Sequence, residues 1–192
     1  MTAATVFGTG DRTLFGSGSS FRTVFAPATQ QAGVATYTRE TRVRAPLEDV
    51  WAFHSTLDGL EALTPAFMHL EVRSVTGPDG DPDPDVLAAG TRVELAMQPF
   101  GIGPRTEWTT IITDRSEGDG TARFRDVMAE GPFPTWEHTH RFVADGDATV
   151  VADRVEYALP GGAVGRTVSP LGWVGFEPMF RARHRKTKAL LE

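Results

Sequence analysis

The chain has 192 residues, 40% of them hydrophobic, with a formal net charge of −6 and no cysteine. This length predicts one domain with an ample core, and the lack of thiols excludes a disulfide framework, a thiolate metal site and a cysteine nucleophile. The negative charge argues against a nucleic-acid binder. The sequence has no apolar stretch long enough to predict a membrane span. Its first residues do not show the basic and then apolar pattern of a secretory signal. We therefore expect a cytoplasmic protein, with peripheral contact to a membrane left open.

The first 35 residues are rich in Gly, Ser, Thr and Ala, which predicts a flexible tail ahead of a domain over residues 36–192. A loose repeat runs through this tail as Thr5-Val6-Phe7, Thr13-Leu14-Phe15 and Thr23-Val24-Phe25. The aromatic residues leave a second interpretation open, in which the tail binds a partner and the chain acts as a protein-interaction module. The apolar turn at residues 99–104 is a second candidate for such a contact.

Alternating residues predict a first strand over residues 35–44, and Pro46 then marks the start of a helical stretch that reaches Leu63. We expect this stretch to break into two short helices near Asp58-Gly59, because glycine weakens a helix. Strands joined by Gly- and Pro-rich turns follow at residues 67–75, 91–97, 105–114 and 121–130. The acidic loop at residues 77–90 is expected to be solvated.

The next two strands form a hairpin around the turn Asp145-Gly146-Asp147. Because side chains alternate along a strand, one face of this hairpin carries a defined set of residues. The set comprises Trp136, His138, His140 and Phe142 on the first strand, with Thr149, Val151, Asp153, Val155, Tyr157 and Leu159 on the return strand. A face that combines apolar side chains with two histidines and a carboxylate indicates the wall of a binding cavity.

The last element is a helix over about residues 164–191, which Pro170 and Pro178 are expected to begin, bend or interrupt. Its buried side is predicted to hold Val168, Leu171, Val174, Met179, Phe180 and Leu190. The basic run at residues 181–188 is expected to form a solvated face, since positive charge is favourable at a helix C-terminus.

This order of elements predicts an α+β fold. A curved seven-stranded antiparallel sheet wraps around the long C-terminal helix, and two short helices follow strand 1. The gap between sheet and helix is a natural apolar pocket.

The sequence resembles the START and birch-pollen-allergen superfamily of helix-grip proteins, and more narrowly its polyketide cyclase/dehydrase-like branch, often labelled SRPBCC. The similarity covers about residues 36–192. The residues that carry it are Ala45-Pro46 to Trp51, Trp108, Phe124-x-Asp126, Gly131-Pro132-Phe133, Trp136-x-His138-x-His140-x-Phe142 and Asp153-x-Val155-x-Tyr157-x-Leu159-Pro160. The resemblance implies a cavity that binds lipids, quinones, sterols or polyketides, and in some members cyclisation or dehydration of a polyketide.

Three interpretations of His138, His140 and Asp153 stay open. The first and favoured one is a buried polar network, because each buried ring nitrogen needs a partner. The second is ligand recognition or acid–base chemistry by a histidine that a carboxylate orients. The third is a zinc or iron site that uses the His-x-His pair with carboxylates such as Asp126. On the first interpretation we expect no metal and no cofactor.

The favoured function is binding or carriage of a small hydrophobic molecule without catalysis. The alternative is a cofactor-independent cyclase, dehydratase or isomerase that uses His138 or His140 with Asp153. The oligomeric state is left open. The candidate ligand-binding residues are Trp108, Phe124, Asp126, Met128, Trp136, His138, His140, Phe142, Asp153, Tyr157 and Phe180.

Overall fold

A computed structural model describes residues 33–192. The strands are β1 (Ala35–Val43), β2 (Glu71–Thr76), β3 (Arg92–Met97), β4 (Thr106–Gly118), β5 (Thr121–Glu130), β6 (Thr135–Asp145) and β7 (Ala148–Ala158). The helices are α1 (Leu47–His54), α2 (Leu57–Leu63), α3 (Gly162–Val168) and α4 (Trp173–Leu191). The predicted tail lies outside the described residues, apart from its last few positions.

The seven strands form one antiparallel sheet in the order β1-β7-β6-β5-β4-β3-β2. Strands β2 to β7 are neighbours in sequence and in space, which is the arrangement of an antiparallel meander. Strand β1 closes the other edge on β7, with Tyr37 opposite Val155. The predicted α+β helix-grip arrangement is therefore confirmed, with α1 and α2 between β1 and β2 and the C-terminal helix on the concave face.

Two boundaries differ from the sequence-based prediction. The break between α1 and α2 lies at Ser55 and Thr56 rather than near Asp58-Gly59, because the Thr56 hydroxyl caps α2 by accepting a hydrogen bond from the Gly59 N–H at 3.1 Å. The strand predicted from residue 67 begins only at Glu71. A single helical turn, Ala66–Met68, follows Pro65 and ends at His69, whose left-handed φ of 46° prevents an earlier strand.

The C-terminal helix consists of two parts. Helix α3 ends at Val168, a tight turn spans Ser169–Gly172 with Pro170 inside it, and α4 then continues without a break through Pro178. The predicted buried side is wrong for four residues, which are exposed: Val168, Leu171, Val174 and Leu190. The tight turn changes the helical phase, so the side that faces the sheet carries Phe176, Phe180, His184 and Thr187.

Contacts at both sides fix α4 to the rest of the domain. Glu177 accepts hydrogen bonds from the Tyr37 hydroxyl at 2.7 Å and from the Arg39 guanidinium at 2.6 Å, both on β1. Lys186 donates to the carbonyls of Ala62 and Thr64 at the end of α2, each at 2.9 Å. These bonds satisfy carbonyls that have no partner inside α2 and set the helix across the sheet.

The apolar core is divided into two clusters. The larger one lies under α1 and α2, and Trp51, Phe124 and Phe142 form its centre with ring centroids 5.5 to 6.2 Å apart. The smaller one lies under α4 around Tyr157 and Phe180. On the strands between these clusters the concave face carries polar side chains.

Gly165→Ala is expected to destabilise the fold by about 1–3 kcal/mol, because the new methyl group would overpack α3 against the end of β7. A Cβ at this position would lie 2.1 Å from the carbonyl oxygen of Pro160 and 2.4 Å from that of Leu159, and backbone cannot move aside easily. Gly175→Ala in α4 is the matched control. Nothing lies within 4 Å of its Cβ position, so the better helix propensity of alanine should leave stability unchanged or raise it by up to about 1 kcal/mol. Urea unfolding measures the free energy of unfolding of both variants. Equal losses in the two would contradict the close packing of Gly165 against the end of β7.

Candidate functional site

Three of the five histidines converge on one buried carboxylate. Asp153 on β7 is fully buried, and its Oδ1 accepts a hydrogen bond from Nε2 of His138 on β6 at 2.9 Å. Its Oδ2 accepts from Nε2 of His184 on α4 at 2.6 Å. Nδ1 of His140 lies 2.8 Å from Oδ1, close enough for an ion pair but away from the direction of a good hydrogen bond. The predicted burial of Asp153 and its bond to a strand histidine are confirmed.

His184 was not among the predicted site residues. The basic run at residues 181–188 was expected to form a solvated face, whereas His184 is only 3% exposed. Its position four residues after Phe180, which faces the same core, is the signal that could have found it. His54 is also buried, and its Nδ1–H donates to the Val50 carbonyl at 2.7 Å.

The electrostatics of the cluster favour ionised carboxylates. Burial acts to raise the pKa of Asp153, but the charge of His140 and the close contacts of the three histidines outweigh it and hold this pKa well below its usual range. Burial acts in the same way on Asp126, where contacts with His140 and His138 outweigh it and lower the pKa. For His138, burial is the largest cause and lowers the pKa, so its neutral form is favoured.

Asp126 lies on β5 on the other side of the two strand histidines. Its Oδ1 accepts a hydrogen bond from the Thr110 hydroxyl at 2.9 Å. Its Oδ2 faces Nδ1 of His138 at 3.8 Å and Nε2 of His140 at 3.6 Å. The two histidines thus lie between two carboxylates, and each ring has one nitrogen directed to each carboxylate.

Burial decreases along three neighbouring strands towards the same end of the concave face. On β5 it falls from Phe124 to Met128, on β6 from Phe142 to Trp136, and on β4 from Ile112 to Trp108. We call the half-buried residues at this end, Trp108, Thr110, Met128 and Trp136, the open end. Asp126 borders it with a side chain that is 14% exposed, so the histidine cluster is close to accessible space.

The eleven candidate residues fall into three groups. Trp108, Met128 and Trp136 belong to the open end, with Asp126 at its border. His138, His140 and Asp153 form the buried cluster. Phe124, Phe142, Tyr157 and Phe180 are core residues, buried below 8% exposure and covered by α1 or α4.

The sequence also suggests two surfaces for contact with a partner. The repeat in the tail lies outside the described residues. The turn at residues 99–104 exposes Phe100 and Ile102, as expected.

A separate open cleft of about 510 Å³ lies at the opposite end of the sheet, between α1 and the β4–β5 turn, and its rim carries Glu48, Glu117 and Asp119. No helix in residues 33–192 is both long and apolar enough to cross a membrane.

The sheet, the two short helices and the C-terminal helix define a START-like helix-grip protein. Residues 43–181 match the family model described as polyketide cyclase/dehydrase and lipid transport. The chain therefore belongs to this family, as the resemblance in its sequence implied. No curated protein matches the chain.

Solved structures with the same fold are distant in sequence. A START superfamily protein from Mycobacterium smegmatis is 16% identical with a TM-score of 0.55, over 81% of this chain and 98% of that one. A norcoclaurine synthase from Thalictrum flavum is 21% identical with a TM-score of 0.57, over 82% and 94%. Ginseng major latex-like protein 151 from Panax ginseng is 14% identical with a TM-score of 0.55, over 82% and 97%. At these identities the similarity shows the fold alone.

Proposed function

We propose that the protein binds a small hydrophobic molecule, of the lipid, quinone or polyketide-like class, between the sheet and the C-terminal helix. The observation that carries this proposal is the open end of the concave face. Its aromatic and thioether side chains are only half-buried, although they point to the same side of the sheet as the core. A hydrophobic ligand would cover this apolar surface and so gain free energy from its burial.

The family description supports the same class of ligand, since it names lipid transport beside polyketide cyclisation and dehydration. Contacts around Gly131 preform the wall. A Cβ at Gly131 would lie 2.5 Å from the Met128 sulfur and 2.7 Å from the Trp108 Cβ, so only glycine lets the β5–β6 turn approach these two side chains. A wall that is packed before binding reduces the entropy lost when a ligand is ordered.

Met128→Gln is expected to weaken binding of a hydrophobic probe about tenfold, because it places an unpaired amide of similar size in the apolar wall. The probe is the fluorescent dye anilinonaphthalene sulfonate, and mass spectrometry of molecules released on denaturation tests for a natural ligand. Ile102→Gln makes the same change at an apolar residue that is 78% exposed, and it should leave dye affinity unchanged. Failure to bind the dye would contradict the proposal and favour a protein without a hydrophobic ligand. Equal dye affinity of wild type and Met128→Gln would contradict it as well and would favour binding in the separate cleft.

A second candidate is a cyclase, dehydratase or isomerase that transfers protons through His138. The observation that favours it is the pairing of His138 with Asp153, together with the 10% exposure of its side chain beside the open end. A carboxylate that orients an imidazole is a common arrangement for proton transfer. Wild type should then release the product on denaturation, whereas His138→Gln should release the unreacted precursor. For a dehydratase the two molecules would differ in mass by one water. Identical released molecules from both proteins would argue against catalysis by this residue.

A further inference from the structure

We propose that Asp126, His138 and His140 form a binding site for one divalent transition-metal ion of the zinc type, with Asp153 as the group that orients both histidines. This inference does not depend on a hydrophobic ligand. Within residues 33–192, these three form the only group of His, Asp or Glu side chains whose ligand atoms converge in this way. The three atoms, one from each side chain, all lie within 4.8 Å of one another.

The separations fit metal ligands better than they fit hydrogen bonds. Asp126 Oδ2 is 3.8 Å from His138 Nδ1 and 3.6 Å from His140 Nε2. Hydrogen bonds between nitrogen and oxygen have lengths of about 2.7–3.2 Å, and a water that bridges two such atoms holds them about 4.5 Å apart. Ligands at about 2.0–2.1 Å from a tetrahedral zinc ion are separated by about 3.4 Å. The observed distances lie closest to the last value.

Asp153 sets the direction of both rings. Its Oδ1 lies 2.9 Å from Nε2 of His138 and 2.8 Å from Nδ1 of His140. A carboxylate only accepts hydrogen bonds, so it places the proton of His138 on Nε2, which donates to it. Nδ1 of His138 is then directed to Asp126, and Nε2 of His140 faces the same carboxylate. Histidine ligands of metals commonly have this outer carboxylate, which fixes the tautomer and raises the basicity of the ligand atom.

The local charge also favours a cation. Two carboxylates, Asp126 and Asp153, lie within this buried cluster, and the half-buried Arg183 on α4 contributes a positive charge close enough to influence both. No ion pair joins Arg183 to either carboxylate among the described residues, so its charge compensates them only at a distance. The two carboxylates bring negative charge into a poorly solvated place, and a bound dication would neutralise it.

Two histidines and one carboxylate leave at least one coordination position free. The Asp126 and His138 side chains retain 14% and 10% exposure and border the open end. An ion held here would direct its free position to the open end, where an oxygen atom of a bound molecule can reach it. The site therefore suits a ligand with a polar oxygen group at one end.

The test uses full-length, untagged protein that has been treated with a chelator and dialysed. Isothermal titration calorimetry with zinc should show about one equivalent bound with a Kd of about 1 μM or tighter. Cobalt(II) should give the visible absorption of a low-coordinate nitrogen and oxygen site, and excess zinc should abolish it. If folded wild type binds neither ion stoichiometrically, the proposal is wrong.

Asp126→Asn keeps the shape of the side chain and removes its charge, and we expect it to weaken zinc binding at least tenfold without unfolding the protein. His69→Gln is the matched control, because His69 is an exposed histidine that does not belong to the cluster. Its affinity should equal that of wild type. Binding that survives Asp126→Asn but is lost in His69→Gln would assign the ion to the surface and overturn the proposal.

Discussion

Asp153→Ala is expected to lower the free energy of unfolding by about 3–5 kcal/mol, because it removes the one carboxylate that three buried histidines contact. Asp153 is fully buried and receives contacts from His138, His140 and His184. Alanine would leave their N–H groups without an acceptor in a place that water does not reach, and each such group costs free energy. Urea unfolding at pH 7 measures the loss.

Asp153→Asn should cost less, about 1–3 kcal/mol, because the amide oxygen still accepts a hydrogen bond while the amide nitrogen faces another donor. Asp147→Ala is the control for the loss of one carboxylate. Asp147 has a fully exposed side chain in the β6–β7 turn, so its replacement should change stability by less than about 0.5 kcal/mol. A loss for Asp153→Ala no larger than that of the control would mean that the three histidines find other partners.

The position of Asp153 could be predicted from the sequence because strand alternation is a local property. Once Val151, Val155 and Tyr157 are assigned to the core, the residue between the two valines must share their side. The turn Asp145-Gly146-Asp147 fixes the pairing with β6, and His140 lies directly opposite Asp153. The side of the sheet on which these hairpin residues lie was therefore predicted correctly.

The contribution of α4 could not be derived in the same way. Its phase relative to the sheet depends on the tight turn at Ser169–Gly172, and a continuous helix over the same residues buries a different set. Gly172 packs against the Tyr157 ring, where a Cβ would come within 2.5 Å. This close tertiary contact positions the start of α4 and brings His184 to Asp153, and no periodicity in the sequence records it.

The open end also depends on tertiary structure. The sequence assigned Phe124 and Met128 to one face and grouped both as ligand contacts. The structure separates them, because Trp51 of α1 covers Phe124 and α1 does not extend to Met128. The length of the helices that pack on a concave face decides which part of it remains uncovered. Alternation along a β-strand carries no information about the length of those helices.

The second large effect concerns acid stability and His54. Its Nδ1–H donates to a carbonyl, and its Nε2 is buried without a partner in residues 33–192, so the neutral ring is the form that fits. Burial is the main cause that lowers the pKa of His54 to about 3, and the charge of Arg183 adds to it. In the unfolded chain a histidine has a pKa of about 6.5.

Between these two pKa values the unfolded state binds one more proton than the folded state, so the folded state loses stability as the pH falls below about 6.5. The loss approaches about 1.4 kcal/mol for each pH unit. Wild type should therefore lose about 2–3 kcal/mol more than His54→Leu between about pH 6.5 and 4.5, and the carboxylates that both proteins share cancel in this difference. His69→Gln, which replaces an exposed histidine, should retain the wild-type dependence. Urea unfolding at each pH measures the curves, and parallel curves for wild type and His54→Leu would show that His54 becomes protonated without cost in the folded protein.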